Sequence, residues 1–216
     1  MPTPLQQAQT YCPIFHFHPN EGRQCCFPSD AEIAYPRARA GRTGEHRTPT
    51  TIDHASPCYF QYWHDEHRSL ERVKFWLWYN FNDFPQGPDF LGSHPGDWEH
   101  IEVLLREGVV VGYYLSNHEA ARLLAPNSAQ RQGLRLRVWV ANGSHAHYPN
   151  YHSPDLYCRL GFCDEVAAHG NTLDPVGHLR NVDDTNFGRD QFGGDWGDGK
   201  RIFGPPHRSL FENPFP

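Results

Sequence analysis

Apolar residues along this chain gather in alternating or short unbroken runs separated by Gly-, Pro- and Asp-rich stretches. Tyr11 to His18 reads as a short alternating strand followed by a polar turn from Pro19 to Gly22. Tyr59 to Trp63 and Val73 to Asn82 are dense in aromatic and β-branched residues, the composition of strands buried on one or both faces. Asp97 to Leu105 and Leu134 to Val140 add two more strands, the latter through Leu-Arg-Leu-Arg-Val-Trp-Val. Between them Ser116-Asn-His-Glu119 matches a capping box and predicts a short helix through Leu124. Ala40 to Thr51 offers no apolar face and reads as a surface loop, and the chain beyond Tyr148 is irregular. With no internal repeat and no composition break, residues 1–216 form a single domain. The expected fold is mainly β: an antiparallel β-sandwich with long loops and one or two short helices.

Composition narrows the function classes. The formal net charge is −6, and the 19 Lys and Arg never run longer than two, so no clustered positive field exists to grip nucleic acid. The longest apolar stretch, Val109 to Leu115, is far too short to span a membrane, and no transmembrane segment is expected. The first 20 residues show neither a basic nor an apolar leader segment. That leads to the expectation of a cytoplasmic protein, or an extracellular one if the sequence is a processed form. The six cysteines, Cys12, Cys25, Cys26, Cys58, Cys158 and Cys163, include no CxxC pair, and reduced thiols are expected in that setting.

Candidate chemistry concentrates in Ser93-His-Pro-Gly-Asp-Trp-Glu-His100. On a strand, Asp97 and Glu99 share a face with Ile101 and Val103, which need the core, so both carboxylates point inward. Two neighbouring carboxylates repel unless a proton or cation lies between them. If the strand ending before Asp83 pairs with this one as a hairpin, Asp83 and Asp97 face each other at its mouth. His94 can join them. Three carboxylates and one imidazole suit Mg²⁺, Mn²⁺ or Ca²⁺ better than structural zinc. The plainer alternative is a hairpin end with ordinary surface charges. A second cluster, Ala141-Asn-Gly-Ser-His-Ala-His-Tyr148, follows a strand. There His145 reads as a general base, a fifth ligand or a turn histidine. Gly194 to Lys200 imitates a phosphate loop, but Arg201 stands where the metal-binding hydroxyl belongs. Asp183-Asp184 reads as a solvated loop.

Four segments resemble the vacuolar protein sorting-associated protein 62 family. They are Tyr11-Cys-Pro-Ile-Phe-His-Phe-His-Pro-Asn-Glu21, His94 to Val103, Ala141 to Pro149, and Gly194-Asp-Trp-Gly197 before Gly204-Pro-Pro206. More distantly, His94 to Glu99 is similar to the Gly-His-Arg-His-Asp-Trp-Glu signature of necrosis- and ethylene-inducing peptide-like toxins. That resemblance implies a β-sandwich with a divalent cation held by His94, Asp97, Glu99 and the upstream Asp83. It also implies a site histidine at His145. Pro95-Gly96 replaces the toxins' Arg-His.

Taken together, these features suggest a divalent-metal-dependent hydrolase or lyase acting on a small-molecule substrate by hydrolysis, hydration, elimination or cyclisation. His145 and His118 would serve as acid or base. The alternatives are a non-catalytic module that binds an anionic glycan or lipid head group through the cation, or a trafficking scaffold.

Overall fold

The computed structural model describes residues 2–23, 26–44, 47–67, 69–84, 92–118 and 120–205. Cys25, Glu119, residues 85–91 of the predicted hairpin connection, and Pro206 lie outside them. In chain order the elements are α1 (Pro4–Tyr11), β1 (Ile14–Phe17), α2 (Ala31–Arg39), β2 (Cys58–Asp65), β3 (Leu70–Asn82), β4 (His94–Arg106), β5 (Val109–Asn117) and β6 (Ala120–Leu124). They continue with β7 (Arg131–Gln132), β8 (Arg135–Val140), β9 (His147–Tyr148), β10 (Cys158–Arg159), β11 (Phe162–Cys163), β12 (Thr172–Leu173), β13 (Leu179–Asn181) and α3 (Asn186–Arg189).

A six-stranded sheet runs β13-β2-β3-β4-β5-β6, and a smaller sheet carries β12-β1-β8, with β7 and β9 both paired to β8. The two sheets pack face to face. Val73, Phe75, Leu77 and Tyr79 of β3 and Ile101, Val103 and Leu105 of β4 meet Phe15 and Phe17 of β1 and Leu136, Val138 and Val140 of β8. Pairing is mostly antiparallel, with β1–β8 and β13–β2 parallel. The antiparallel sandwich is therefore present, with two parallel joins.

The other face of the large sheet is also covered. Trp76, Trp78 and Trp98 project from it against Tyr35 of α2, Phe187 of α3 and Trp196. Burial on both faces explains why β3 reads as an almost continuous apolar run rather than a strict alternation. Close packing in this aromatic layer fixes Gly96. Its φ is +69°, and a Cβ there would lie 2.5 Å from the Trp196 carbonyl oxygen and 2.7 Å from the Trp78 ring.

Two expectations need correction. The predicted helix from Ser116 to Leu124 is a β-hairpin, in which Ser116 pairs with Ala121. Its hydroxyl donates to Glu99 and accepts from the His100 N–H at 2.9 Å, so both roles serve the sheet rather than a helix start. Helices form instead at α1, where Thr3 and Gln6 make the capping box, and at α2, capped by Asp30. The cysteines are not all reduced either. Cys158 and Cys163 form a disulfide across the β10–β11 ribbon, Cys26 is disulfide-bonded, and Cys12 and Cys58 are buried free thiols.

Trp98 stacks edge-on or tilted against Tyr59, Trp76, Trp78, Phe187 and Trp196 with centroids 5.2–6.1 Å away. Trp98→Ala should therefore cost about 3–5 kcal/mol through the cavity it leaves. Urea denaturation should show a lower midpoint with an unchanged slope. A loss below about 1 kcal/mol would show that the aromatic layer is not a structural core.

Candidate functional site

Chain topology brings four segments to one end of the sandwich. Because β1 and β8 run parallel, with Phe17 beside Val140, the segments that follow them emerge at the same edge. The first carries Glu21, and the second carries Asn142 to His147. The end of β3 and the start of β4 reach this edge as neighbours.

At its centre lies His145, with no exposed surface. Its backbone is left-handed at φ +60°, and its ring stacks flat on Tyr79 with centroids 3.7 Å apart. Nδ1 lies 3.0 Å from Asp97 Oδ2, and Nε2 lies 3.7 Å from Glu21 Oε1. Burial alone would push this imidazole's pKa down, but the hydrogen bond to Asp97 and the charges of Glu21 and Asp97 outweigh it and raise the pKa to about 9. His145 is therefore an imidazolium at neutral pH. Burial and the charges of Glu21, Glu99 and Asp97 push the Tyr79 phenol well above its ordinary value, so it stays neutral.

The remaining groups form a tight polar frame. Asn82 Nδ2 donates to Asp97 Oδ2 and to the Ser144 carbonyl, both at 3.1 Å. The Gly143 N–H donates to Glu21 Oε2 at 3.0 Å. Gly143 is also the partner of Asp83, whose N–H donates to the Gly143 carbonyl at 2.8 Å. The Asp83 carboxylate pairs with Arg47 at 3.1 Å, and that guanidinium lies over the Phe81 ring. Glu99 accepts from Ser116, whose oxygen is 3.3 Å from His147 Nδ1.

Asp97 and Glu99 are both buried on the core side of β4. Asp83 does not sit opposite Asp97. The register places Tyr79 opposite Asp97 and Asn82 opposite His94, because β4 begins at His94, three residues earlier than expected. His94 is half-buried, with Nδ1 2.9 Å from the Gly96 carbonyl. His118 occupies the β5–β6 turn rather than a helix start, with Nε2 2.9 Å from Asp164 Oδ2. Sequence reasoning passed over Glu21, Asn82, Tyr79 and Asp164 as site residues. Glu21 could have been found only by knowing that β1 and β8 are parallel neighbours.

The carboxyl groups of Glu21, Asp83, Asp97 and Glu99 thus share the edge with the cationic side chains of His145 and Arg47. The buried Tyr79 hydroxyl and Glu21 Oε1 make no hydrogen bond among the described residues. Hard oxygens with unused capacity are the chemistry that a divalent cation or a hydroxylated ligand meets. Among the described residues no three His, Cys, Asp or Glu side chains converge closely enough to hold a metal ion as they stand.

Neither a family model nor a curated protein sequence matches the chain significantly, so the resemblance to the vacuolar sorting family finds no support. Solved structures do match. Necrosis and Ethylene inducing Protein 2 from the causal agent of cocoa's witches' broom disease is 14% identical with a TM-score of 0.51, covering 85% of this chain and 75% of that one. The non-toxic HaNLP3 protein is 13% identical with a TM-score of 0.53, covering 91% and 84%. NLPPya in complex with glucosamine is 13% identical with a TM-score of 0.53, covering 87% and 79%, and NLPPya in complex with mannosamine also matches. The fold is that of the necrosis- and ethylene-inducing toxins.

Since His145 has a folded-state pKa of about 9 against an ordinary 6.5, its contribution to stability is complete below about pH 6.5 and is lost as pH rises through 9. In chelator-treated protein, NMR of the His145 ring should titrate near pH 9. A midpoint at or below 6.5 would refute the imidazolium.

Proposed function

We propose that the protein is a non-catalytic binding module that takes a glycan, or the glycan-like head group of a lipid, at the acidic edge around His145. One observation carries the reading. On a toxin-type sandwich, the buried carboxyl groups of Glu21, Asp83, Asp97 and Glu99 gather where the loops converge, and Glu21 Oε1 and the Tyr79 hydroxyl beside them make no hydrogen bond among the described residues. Such a cluster of carboxylate and hydroxyl oxygens suits an amino sugar's ammonium and hydroxyl groups, and the neighbouring NLPPya structures are complexes with glucosamine and mannosamine.

A divalent cation, Mg²⁺, Mn²⁺ or Ca²⁺, belongs to the same proposal. Its ligands would be Asp83, His94, Asp97 and Glu99, and it would supply positive charge for an anionic head group. Asp83 and Asp97 are now engaged by Arg47 and His145, so cation binding would compete with those partners. The hydrolase or lyase alternative asks His145 for proton transfer. Complete burial between Asp97 and Glu21, already protonated, suits a counter-ion better than a base. Among the described residues no helix is long and apolar enough to cross a membrane. The disulfides favour an oxidising compartment, which supports the extracellular alternative for this protein.

Calorimetric titration with glucosamine and mannosamine, with Mg²⁺ or with a chelator, tests the proposal. The wild type should give saturable heat, and Asp97→Asn should weaken it at least about tenfold. Absence of saturable heat from the wild type under every condition would defeat it.

A further inference from the structure

The β10–β11 ribbon lies against the histidine loop, and the glycan-binding reading leaves it without a role. Its two strands contribute two residues each and are closed by the Cys158–Cys163 disulfide, with both cysteines exposed. The residues flanking the bridge turn inward. Asp164, next after Cys163, is 1% exposed, and its N–H donates to the carbonyl of Tyr157, the residue before Cys158, at 2.8 Å.

The Asp164 carboxylate then grips the site loop at both ends. Oδ1 accepts from the Ser144 hydroxyl at 2.7 Å, and Oδ2 accepts from the Tyr148 hydroxyl at 2.5 Å. The Tyr148 hydroxyl in turn accepts the Tyr157 N–H at 2.9 Å. Ser144 immediately precedes His145, and Tyr148 immediately follows His147. His118 Nε2, 2.9 Å from Oδ2, completes the set around the carboxylate. One further tie, Asn142 N–H to the Glu165 carbonyl at 2.9 Å, joins the same two segments.

Resting on the glycan-binding reading, we propose that Cys158–Cys163 is a reducible clamp that sets the affinity of the acidic edge, with Asp164 as its positioning residue. A ribbon of two residue pairs is not stable alone, and the cross-link supplies the closure that its few hydrogen bonds cannot. A dithiol reductant would open it in two steps. Its thiolate attacks one cysteine sulfur, and the other leaves as a thiolate that takes a proton. The reductant's second thiol then attacks the mixed disulfide, releasing the second protein thiol and the reductant's own disulfide. The two electrons come from the reductant. With the ribbon open, Asp164 can swing to water, and Ser144 and Tyr148 lose the carboxylate that fixes the loop around His145 and His147.

The test combines hydrogen exchange with glucosamine titration on wild type, Cys158→Ser/Cys163→Ser and Asp164→Asn. The double serine variant isolates this bridge from the one at Cys26. Reducing the wild type with dithiothreitol, or replacing both cysteines, should speed exchange across residues 141–148 at least tenfold, leave β3 and β4 protected, and weaken glucosamine binding at least fivefold. Asp164→Asn should show the same loop exchange whether or not dithiothreitol is present. Unchanged exchange over residues 141–148 in the folded double serine variant would overturn the clamp. Glucosamine binding lost from oxidised wild type would instead indict the binding reading, while the exchange result still judges the clamp.

Discussion

A carboxylate withdrawn from water needs a counter-charge, and that requirement organises the loop end of this protein. Asp97 and Glu21 come from strands or loops far apart in sequence, yet both address His145. The imidazolium meets the requirement only because Tyr79 lies flat beneath it and Gly143 lets the loop turn back on itself. Gly143 has φ +71°, sits 3.2 Å from the Asp83 carbonyl by its missing Cβ, and bonds Glu21 through its N–H. Remove the cation and the acidic frame has no reason to remain closed.

The same histidine links the edge to the core. Its stacking partner, Tyr79, belongs to the inner face of β3 and packs among the residues that join the two sheets. Trp78, one residue away, faces the opposite layer. One strand, β3, therefore contributes at once to the core between the sheets, the aromatic layer and the acidic edge. The edge rests on the paired strands β3 and β4, and hydrogen bonds hold it where loops supply the groups.

The legibility of these features followed their range. Strands β2, β3, β4 and β8 were readable because alternation and aromatic density are local, and their burial is determined by adjacent residues. Asp97 and Glu99 were readable for the same reason: their inward direction follows from Ile101 and Val103 on one strand. The hairpin at Ser116 misled because a capping box and a strand end use the same residues, and only Glu99, seventeen positions earlier, decides between them. Glu21 and Asp164 were illegible. Each reaches the site through a pairing between segments more than a hundred residues apart or through a bridge whose oxidation state spacing cannot reveal.

Gly96 carries a consequence for how such sequences can diverge. The toxin signature has histidine at this position, and the space here is filled by the Trp196 carbonyl and the Trp78 ring. A histidine could enter only if the segment bearing Trp196 withdrew, so the dipeptide Pro95-Gly96 and the distant Trp196 must change together or not at all. The motif is consequently not a portable cassette. Its fit is written in two places, the Pro95-Gly96 turn and the Trp196 segment that closes over it.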